Sequence, residues 1–283
     1  MWKWPQPSTS TDTFISTALH NLSCAEYWKQ SVTASRELYY RRVCSQIAKA
    51  GDLSLLQWAH RKGLPWSKDT CEIAAKHGRL DCLKFAHEHG SPWDTETCKN
   101  AAKNGHLDTL QYAHKNGCEW GEDTCSKAAK NGHLEILKYA HENCCPWDVS
   151  TCENAAENGH IDILKYAHEK GCPWDEDTCG HAAIGGHFEI LQYLRAEGCP
   201  WDGTTCHYAA ENGHLEILKY ARENGCEWDE NTTCHAAKNG HFEILKYARE
   251  NGCEWDEDTT RHAAENGHME CVRYAHENGC PWV

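Results

Sequence analysis

Residues 174–200 read WDEDTCGHAAIGGHFEILQYLRAEGCP, and closely similar stretches of the same length recur along the chain. The repeat is marked by tryptophans that are always 27 residues apart: Trp66, Trp93, Trp120, Trp147, Trp174, Trp201, Trp228, Trp255 and Trp282. Eight full repeats therefore run from residue 66 to residue 281 without an insertion. An identical length in every repeat favours a regular stack, because an insertion would have to loop out of it.

Each repeat carries the pattern of two short helices. In residues 174–200, Asp177 and Thr178 are residue types that favour helix starts, and they predict a first helix from about Thr178 to Ile184. A second helix is predicted from its apolar stripe, formed by Phe188, Ile190, Leu191 and Leu194. A helix pair of this size cannot bury its apolar face alone. The predicted fold is therefore all-α, an α-solenoid of stacked helix-turn-helix repeats.

The second half of the repeat resembles ankyrin repeats. Residues 209–228 read AAENGHLEILKYARENGCEW and contain the ankyrin-like run of Ala-Ala, Gly-His-Leu-Glu, an aliphatic second helix and Asn-Gly. The matching positions are Ala209, Ala210, Gly213, His214, Leu215, Ile217, Leu218, Asn224 and Gly225. They recur in nearly all repeats from about residue 43 onward. The resemblance implies an ankyrin-like interaction scaffold with no enzymatic activity and no cofactor.

The first half of the repeat departs from that family. Ankyrin units are typically about 33 residues long and open with Thr-Pro-Leu-His, whereas this repeat has Thr-Cys after a Cys-Pro-Trp loop. The short Cys-Pro-Trp repeat is similar to ankyrin-like arrays of large DNA viruses of protists, of oomycetes and of algae. We therefore expect a shortened ankyrin-like unit.

The repeats also set the expected domain boundaries. Residues 1–11 are rich in proline, serine and threonine and are predicted to be disordered. Residues 12–42 have helical potential and are predicted to form an N-terminal cap of the array or a separate docking segment. The array is predicted to occupy residues 43–283, as one degenerate repeat at 43–65 and eight repeats at 66–281.

Composition restricts the class of protein. The chain has 283 residues, a formal net charge of -14 and 19 cysteines. An odd number of cysteines without an export signal predicts reduced thiols and an intracellular, most simply cytoplasmic, location. No apolar run long enough to span a membrane is present. Because an acidic surface repels phosphates, we expect neither a nucleic acid nor a membrane as partner.

Cysteine occupies two positions of the repeat, two residues before the tryptophan and five residues after it. The positions are filled by Leu64 in one repeat and by Thr260 in another, which favours small packing residues over metal ligands. A disulfide between the two positions, such as Cys172 to Cys179, needs an oxidising compartment. A Cys/His protein that responds to metal or to redox conditions is therefore an alternative function.

A histidine and the tryptophan are likewise fixed in the repeat. The histidine opens the second helix at His106, His133, His160, His187, His214, His241 and His268. A fixed position in every repeat predicts a scaffolding hydrogen bond rather than catalysis, which needs one special site. The tryptophan is predicted to be a wedge between repeats, with its N–H bonded to a carbonyl.

Three positions of the first helix vary sharply between repeats. In ankyrin-like solenoids the first helices line the recognition side, so the resemblance places a protein partner there. The predicted partner-binding residues are His181, His207, Tyr208, His235, His262, Arg261, Lys127 and Asn154. Neighbouring repeats are expected to bring two or three of the histidine and tyrosine side chains together. We predict no catalytic residue and no metal ligand.

The residues that follow the tryptophan are rich in carboxylates. Two sets are Asp175, Glu176 and Asp177, and Asp256, Glu257 and Asp258. One interpretation is that they cap the first helix and complement its dipole. The other is an acidic ridge that binds a protein partner with a basic surface.

The last repeat predicts a further surface. Ala263, Ala264, Met269, Val272 and Trp282 are expected to form a contiguous apolar face, which monomers seldom leave bare. Such a face predicts end-to-end association at the C-terminal repeat. A structural subunit of a larger assembly is therefore a second alternative function.

Overall fold

The computed structural model describes residues 34–281, in which every regular element is an α-helix. In chain order these are α1 (Ala34–Ala50), α2 (Leu53–Arg61), α3 (Lys68–Lys76), α4 (Leu80–Glu88), α5 (Thr95–Lys103), α6 (Leu107–Lys115), α7 (Glu122–Lys130), α8 (Leu134–Glu142), α9 (Val149–Glu157), α10 (Ile161–Glu169), α11 (Glu176–Gly185), α12 (Phe188–Ala196), α13 (Gly203–Glu211), α14 (Leu215–Glu223), α15 (Glu230–Lys238), α16 (Phe242–Glu250), α17 (Glu257–Glu265) and α18 (Met269–Glu277). None of these helices is both long enough and apolar enough to cross a membrane.

The helices come in pairs at the predicted interval, which confirms the all-α repeat fold. The odd-numbered helices from α3 onward are the first helices of the repeats, and the even-numbered helices from α4 onward are the second helices. Helix α1 is continuous from Ala34 to Ala50, so the boundary predicted at residue 42 lies within this helix. The segment predicted as disordered, and residues 12–33 of the predicted cap, lie outside the described residues.

The described residues divide into two compact units, residues 34–128 with 138–145, and residues 129–137 with 146–281. Within each unit the repeats stack as in an α-solenoid, and the closest packing is between first helices of successive repeats, such as α3 on α5 and α11 on α13. Small side chains permit this approach, since Ala182 and Ala183 of α11 are both completely buried. The second helices contribute the larger core residues, such as Ile190 and Leu191 of α12.

The first helices begin earlier than the sequence predicted. In residues 174–200 the N-cap is Asp175, and the helix begins at Glu176 rather than near Thr178. Asp175 has extended backbone, and its N–H donates to the Thr178 hydroxyl at 3.3 Å. In other repeats the side chain of the equivalent aspartate accepts a backbone N–H from the first turn of the first helix. These N-cap residues are Asp94, Asp148, Asp202, Asp229 and Asp256. Each such cap stabilises its helix by about 1 kcal/mol, so most of these carboxylates have a structural role.

The fixed histidine opens the second helix but bonds to the preceding repeat. Nε2 of His241 lies 3.1 Å from the carbonyl oxygen of Glu211, which is the last residue of α13, the first helix of the preceding repeat. The same link joins His106 to Lys76, His160 to Lys130, His187 to Glu157 and His214 to Ile184. The link satisfies a carbonyl that the helix end leaves unpaired. This confirms the predicted scaffolding hydrogen bond at these positions.

Candidate partner-binding surface on the first helices

The varying residues of four successive first helices lie half-buried in the unit formed by residues 129–137 and 146–283. We call this surface the first-helix face, and it consists of His181 on α11, His207 and Tyr208 on α13, His235 on α15 and His262 on α17. Because first helices stack on first helices, equivalent positions of neighbouring repeats become neighbours in space. The face therefore displays residues that differ from repeat to repeat.

His181 lies against two carboxylates of the preceding first helix. Its Nδ1 is 3.2 Å from a carboxylate oxygen of Glu157, and its Nε2 is 4.0 Å from one of Glu153. Burial raises the pKa of Glu153, an effect that His181 partly opposes. At this point of the face, imidazole and carboxylate are hydrogen-bonded to each other.

His207, Glu211 and His235 converge at the next point of the face. The rings of His207 and His235 have centroids 4.0 Å apart. Glu211 reaches both of them, since one carboxylate oxygen is 3.9 Å from Nε2 of His207 and the other is 3.5 Å from Nδ1 of His235. Burial, and then the neighbouring His207, lower the pKa of His235. The expected meeting of histidines is confirmed here.

Sequence analysis had not selected Glu211 for this site. It follows His207 by one helical turn on α13, and residues four apart share a helix face. That spacing is a signal that sequence reasoning could have used. The contact of His235 with Glu211, across the interface between two repeats, could be found only from the structure.

Tyr208 packs over a glycine of the preceding repeat. A Cβ added at Gly180 of α11 would lie 3.1 Å from the ring of Tyr208. The glycine therefore makes room for the ring, while Tyr208 stays half-exposed. Tyrosine in this setting offers an apolar ring and a polar hydroxyl to a partner.

At the end of the first-helix face, His262 and Arg261 of α17 each contact other side chains. Sγ of Cys234 lies 3.1 Å from Nδ1 of His262. Nε of Arg261 donates to a carboxylate oxygen of Asp258 at 3.1 Å, and the guanidinium is 3.5 Å from Glu265. The hydrogen bond from Arg261 lowers the pKa of Asp258. Two residues predicted for different surfaces, Arg261 and Asp258, therefore form one ion pair.

Lys127 and Asn154 occupy the same varying position in earlier repeats. The amide of Asn154 donates to the carbonyl of Ser150 at 2.7 Å, within α9. Lys127 is half-buried on α7. The amide of Asn154 is thus hydrogen-bonded within its own helix and not to the histidine clusters.

Five residues of the predicted acidic ridge divide into two groups, and the sixth, Asp258, pairs with Arg261. Asp175 and Asp256 are the N-caps of α11 and α17. Glu176, Asp177 and Glu257 are exposed on the first turns of the same helices. Capping and an exposed acidic surface therefore involve different residues of the ridge.

Stacked rings connect the second helices through the tryptophan. His168 of α10 lies flat on Trp174, with ring centroids 3.6 Å apart and planes 10° apart. Tyr193 of α12 approaches the same indole edge-on at 6.4 Å. In a later repeat the guanidinium of Arg195 lies 4.1 Å from the centre of Trp201 instead. Sequence analysis missed this contact between the tryptophan and the residue six positions before it.

The repeat tryptophans from Trp66 to Trp255 are half-buried, so the predicted wedge is only partly enclosed. Trp66 makes the predicted hydrogen bond, from Nε1 to the carbonyl of His89 at 3.1 Å. For the repeats at Trp93 and Trp174 the contacts that the structure records are ring contacts. The indole therefore joins repeats mainly through its faces.

The cysteines of the described residues are thiols, and all but Cys144 are buried. The two cysteine positions make a different contact from the Cys172–Cys179 disulfide that the sequence left open, because Sγ of Cys98 lies 3.8 Å from the carbonyl oxygen of Cys118. The cysteine before the tryptophan turns back under the preceding first helix, where Sγ of Cys172 lies 3.3 Å from the Asp148 carbonyl. The two cysteine positions therefore meet from opposite ends of one repeat rather than within the loop between Cys172 and Cys179.

The predicted apolar face of the last repeat is corrected by the structure. Met269 is 60% exposed and Ala264 is exposed, but Ala263 is completely buried and Val272 is only 5% exposed. The carbonyl of Ala263 accepts the N–H of His268 at 2.8 Å. Trp282 lies outside the described residues. The exposed apolar surface on α17 and α18 is therefore smaller than predicted.

Comparison with known proteins agrees with the repeat fold. Residues 152–232 match a family model described as ankyrin repeats in three copies, and residues 71–114 match one described as ankyrin repeats in many copies. The human ASB11 ankyrin repeat domain is a similar solved structure, with 19% sequence identity and a TM-score of 0.47 over 56% of this chain and 84% of that chain. No curated protein sequence matches the chain. In sequence, residues 71–114 and 152–232 are thus similar to ankyrin repeats.

Proposed function

We propose that the chain is a non-catalytic scaffold that binds a protein partner through the first-helix face. Ankyrin repeats generally mediate protein–protein interactions, and two segments of the chain are recognised as such repeats. One observation carries the proposal. The fixed residues are used in contacts between repeats, as in the bond from His241 to Glu211, whereas the varying residues lie together and half-exposed.

The chemistry of the first-helix face supports this role. Aromatic side chains with a polar end are enriched where proteins bind one another, because they bury much area at a small cost in conformational entropy. Tyr208 is such a residue on α13, while His181 lies on the preceding first helix, α11, and His262 lies on α17. Lys127 and Asn154 hold the equivalent position in earlier repeats and belong to the proposed contact set.

The exposed carboxylates supply a second proposed contact. Glu176, Asp177 and Glu257 are exposed, and the chain has a net charge of -14. A partner with a basic surface would be attracted to them, and attraction of this kind weakens as salt is added. This acidic contact complements the first-helix face and does not replace it.

The test is to isolate the partner by affinity purification with the full chain, and then to measure direct binding by calorimetry. A variant carrying His181→Ala, Tyr208→Ala and His262→Ala is expected to weaken binding by about 30-fold or more, since central interface residues contribute 2 kcal/mol or more. A control variant carrying Glu216→Gln, Glu243→Gln and Glu270→Gln changes exposed residues of the second helices. It is expected to bind normally.

A third variant separates the two contacts. Replacing Glu176, Asp177 and Glu257 by their amides is expected to weaken binding modestly and to reduce its salt dependence. If this variant loses binding while the first-helix variant keeps it, the acidic ridge is the principal site. If all variants bind equally, neither surface is the one that the partner contacts.

Three finer points belong to the same proposal. The odd number of cysteines, 19 in the chain, supports a reducing, cytoplasmic location. The exposed Met269 supports association of α18 with a second copy of the chain. The regular helix interval supports a shortened ankyrin repeat, of the kind that resembles the viral, oomycete and algal arrays.

A further inference from the structure

His207, Glu211 and His235 bring two imidazole nitrogens and a carboxylate to one point of the first-helix face. Their candidate ligand atoms all lie within 4.8 Å of one another. We propose that these three residues bind a zinc ion. The proposal concerns a metal site and does not depend on the partner proposed above.

The imidazole nitrogens that point into this cluster are buried and lack hydrogen-bond partners. Nε2 of His207 and Nδ1 of His235 are inaccessible and form no hydrogen bond within the described residues. The side chains as a whole are 27% and 23% exposed, so the rings are accessible elsewhere while these two atoms are not. An unsatisfied buried nitrogen is unfavourable. A metal ion that accepted both lone pairs would satisfy the two atoms together.

A matched cluster two repeats earlier lacks this feature. The three equivalent positions there hold Glu153, Glu157 and His181. The first position is therefore glutamate in the earlier cluster and histidine, His207, in the later one. In the earlier cluster, Nδ1 of His181 is hydrogen-bonded to Glu157 at 3.2 Å. The presence of His207 thus distinguishes the later cluster, whose imidazole nitrogens are unsatisfied, from the earlier cluster, where the imidazole of His181 has a hydrogen-bond partner.

The donor set favours zinc over other common cations. Imidazole nitrogens suit Zn²⁺, whereas Mg²⁺ and Ca²⁺ prefer sites made of oxygen ligands. Three protein ligands leave the fourth tetrahedral position to water. Such a site resembles zinc sites that are open to solvent rather than closed structural ones.

The geometry requires only small side-chain rotations. Ligand atoms of a tetrahedral zinc site are about 3.3 Å apart, because each lies about 2.0–2.1 Å from the ion. The carboxylate of Glu211 is already 3.5 Å from Nδ1 of His235 and 3.9 Å from Nε2 of His207. The backbone is held in place by the bond from His241 to the Glu211 carbonyl at 3.1 Å. The helices therefore need not move for the three ligands to close on an ion.

The test measures zinc bound by the full chain after chelation and dialysis against Zn²⁺, using elemental analysis and calorimetry. His207→Ala, His235→Ala and His207→Glu are each expected to remove one bound zinc per chain, with affinity lowered by about 100-fold or more. Loss of an outer-shell partner alone lowers metal affinity by about 10–100-fold, so loss of a ligand should do more. Circular dichroism checks that each variant remains folded.

The earlier cluster supplies a matched gain-of-site variant. Glu153→His places a histidine, a glutamate and a second histidine at the equivalent three positions, and it is expected to add one zinc per chain. Cobalt substitution distinguishes these sites from the thiols, because thiolate ligands give strong near-ultraviolet absorption that imidazole and carboxylate do not. The expected spectrum lacks that absorption.

Three results would overturn the proposal. One is a wild-type chain that retains no zinc. Another is that His207→Glu and His235→Ala chains keep the wild-type amount. The third is a cobalt spectrum dominated by thiolate absorption that the histidine variants leave unchanged. A Glu153→His chain that gains no zinc counts against the site as well, because the three positions would then not suffice.

Discussion

The imidazole of His168 lies flat on the indole of Trp174, and the two ring planes are 10° apart. Tyr193 of the next second helix meets the same indole at its edge, so one tryptophan links two successive repeats. The residue six positions before the tryptophan is a histidine in some repeats and an arginine in others. Arg249, for example, lies 4.4 Å from the centre of Trp255. A flat imidazole and a flat guanidinium can both lie on an aromatic face.

Trp174→Ala is expected to lower the free energy of unfolding by about 2 kcal/mol. Truncation of a fully buried large aromatic costs about 3–5 kcal/mol, and Trp174 is half-buried. His168→Ala removes the stacked partner and is expected to cost about 1 kcal/mol or less. Urea unfolding of the two variants beside the wild type measures both values. If Trp174→Ala costs no more than His168→Ala, the indole does not join the repeats.

Most of the fold could be predicted because one period governs the whole array. The apolar stripe of Phe188, Ile190 and Leu191 predicted the second helix, and α12 begins at Phe188. The start of the first helix was wrong by two residues. Asp175, Asp177 and Thr178 are all capping types, and only the extended backbone of Asp175 shows which one caps.

The candidate site could be predicted only in part. Periodicity predicts that His235 lies near Tyr208, its equivalent one repeat earlier, and therefore near His207, which precedes Tyr208 in the chain. The unsatisfied nitrogens between them depend on side-chain rotamers, which no sequence period fixes. Likewise, the contact of His168 with Trp174 depends on the path of the loop between them. The sequence spacing of six residues does not define that path.

Histidines stacked on tryptophans are expected to make the stability of the chain depend on pH. His87 stacks on Trp93 with centroids 3.5 Å apart, and His114 stacks on Trp120 at 3.7 Å. Burial is the main cause that lowers the pKa of each histidine below its ordinary value of 6.5. The unfolded chain therefore binds these protons more readily. Their contribution to stability is present above pH 6.5 and is lost as the pH falls through the lowered pKa.

The measurement is the urea midpoint at pH 7.5 and at pH 5. A variant carrying His87→Gln and His114→Gln is expected to lose less stability between the two pH values than the wild type. Part of the dependence should remain, since burial also lowers the pKa of His77. An unchanged pH dependence would mean that the stacked histidines do not carry the effect.

One cysteine of the described residues is expected to react far faster than the others. Cys144 is exposed. Burial raises the pKa of Cys71 to about 11 and that of Cys253 to about 12, which reduces the reactive thiolate as well as its access. In a Cys24→Ser background, which removes a cysteine outside the described residues, a disulfide reagent at pH 8 should modify one thiol rapidly. Cys144→Gly in that background should abolish the rapid phase. Several fast thiols would contradict the burial of the cysteine positions.

Cys144→Gly is also expected to stabilise the chain by about 1 kcal/mol. Cys144 has a φ of 62°, while the equivalent glycine of the next repeat, Gly171, has a φ of 83°. A left-handed backbone costs a residue with a Cβ about 1–2 kcal/mol, and the greater freedom of unfolded glycine offsets part of the gain. The reverse control is Gly171→Ala, where an added Cβ would meet no atom within 4 Å, so only the backbone is strained. It should destabilise by a similar amount in urea unfolding. If Cys144→Gly lowers the midpoint instead, the cysteine side chain makes a contact worth more than the strain at its backbone.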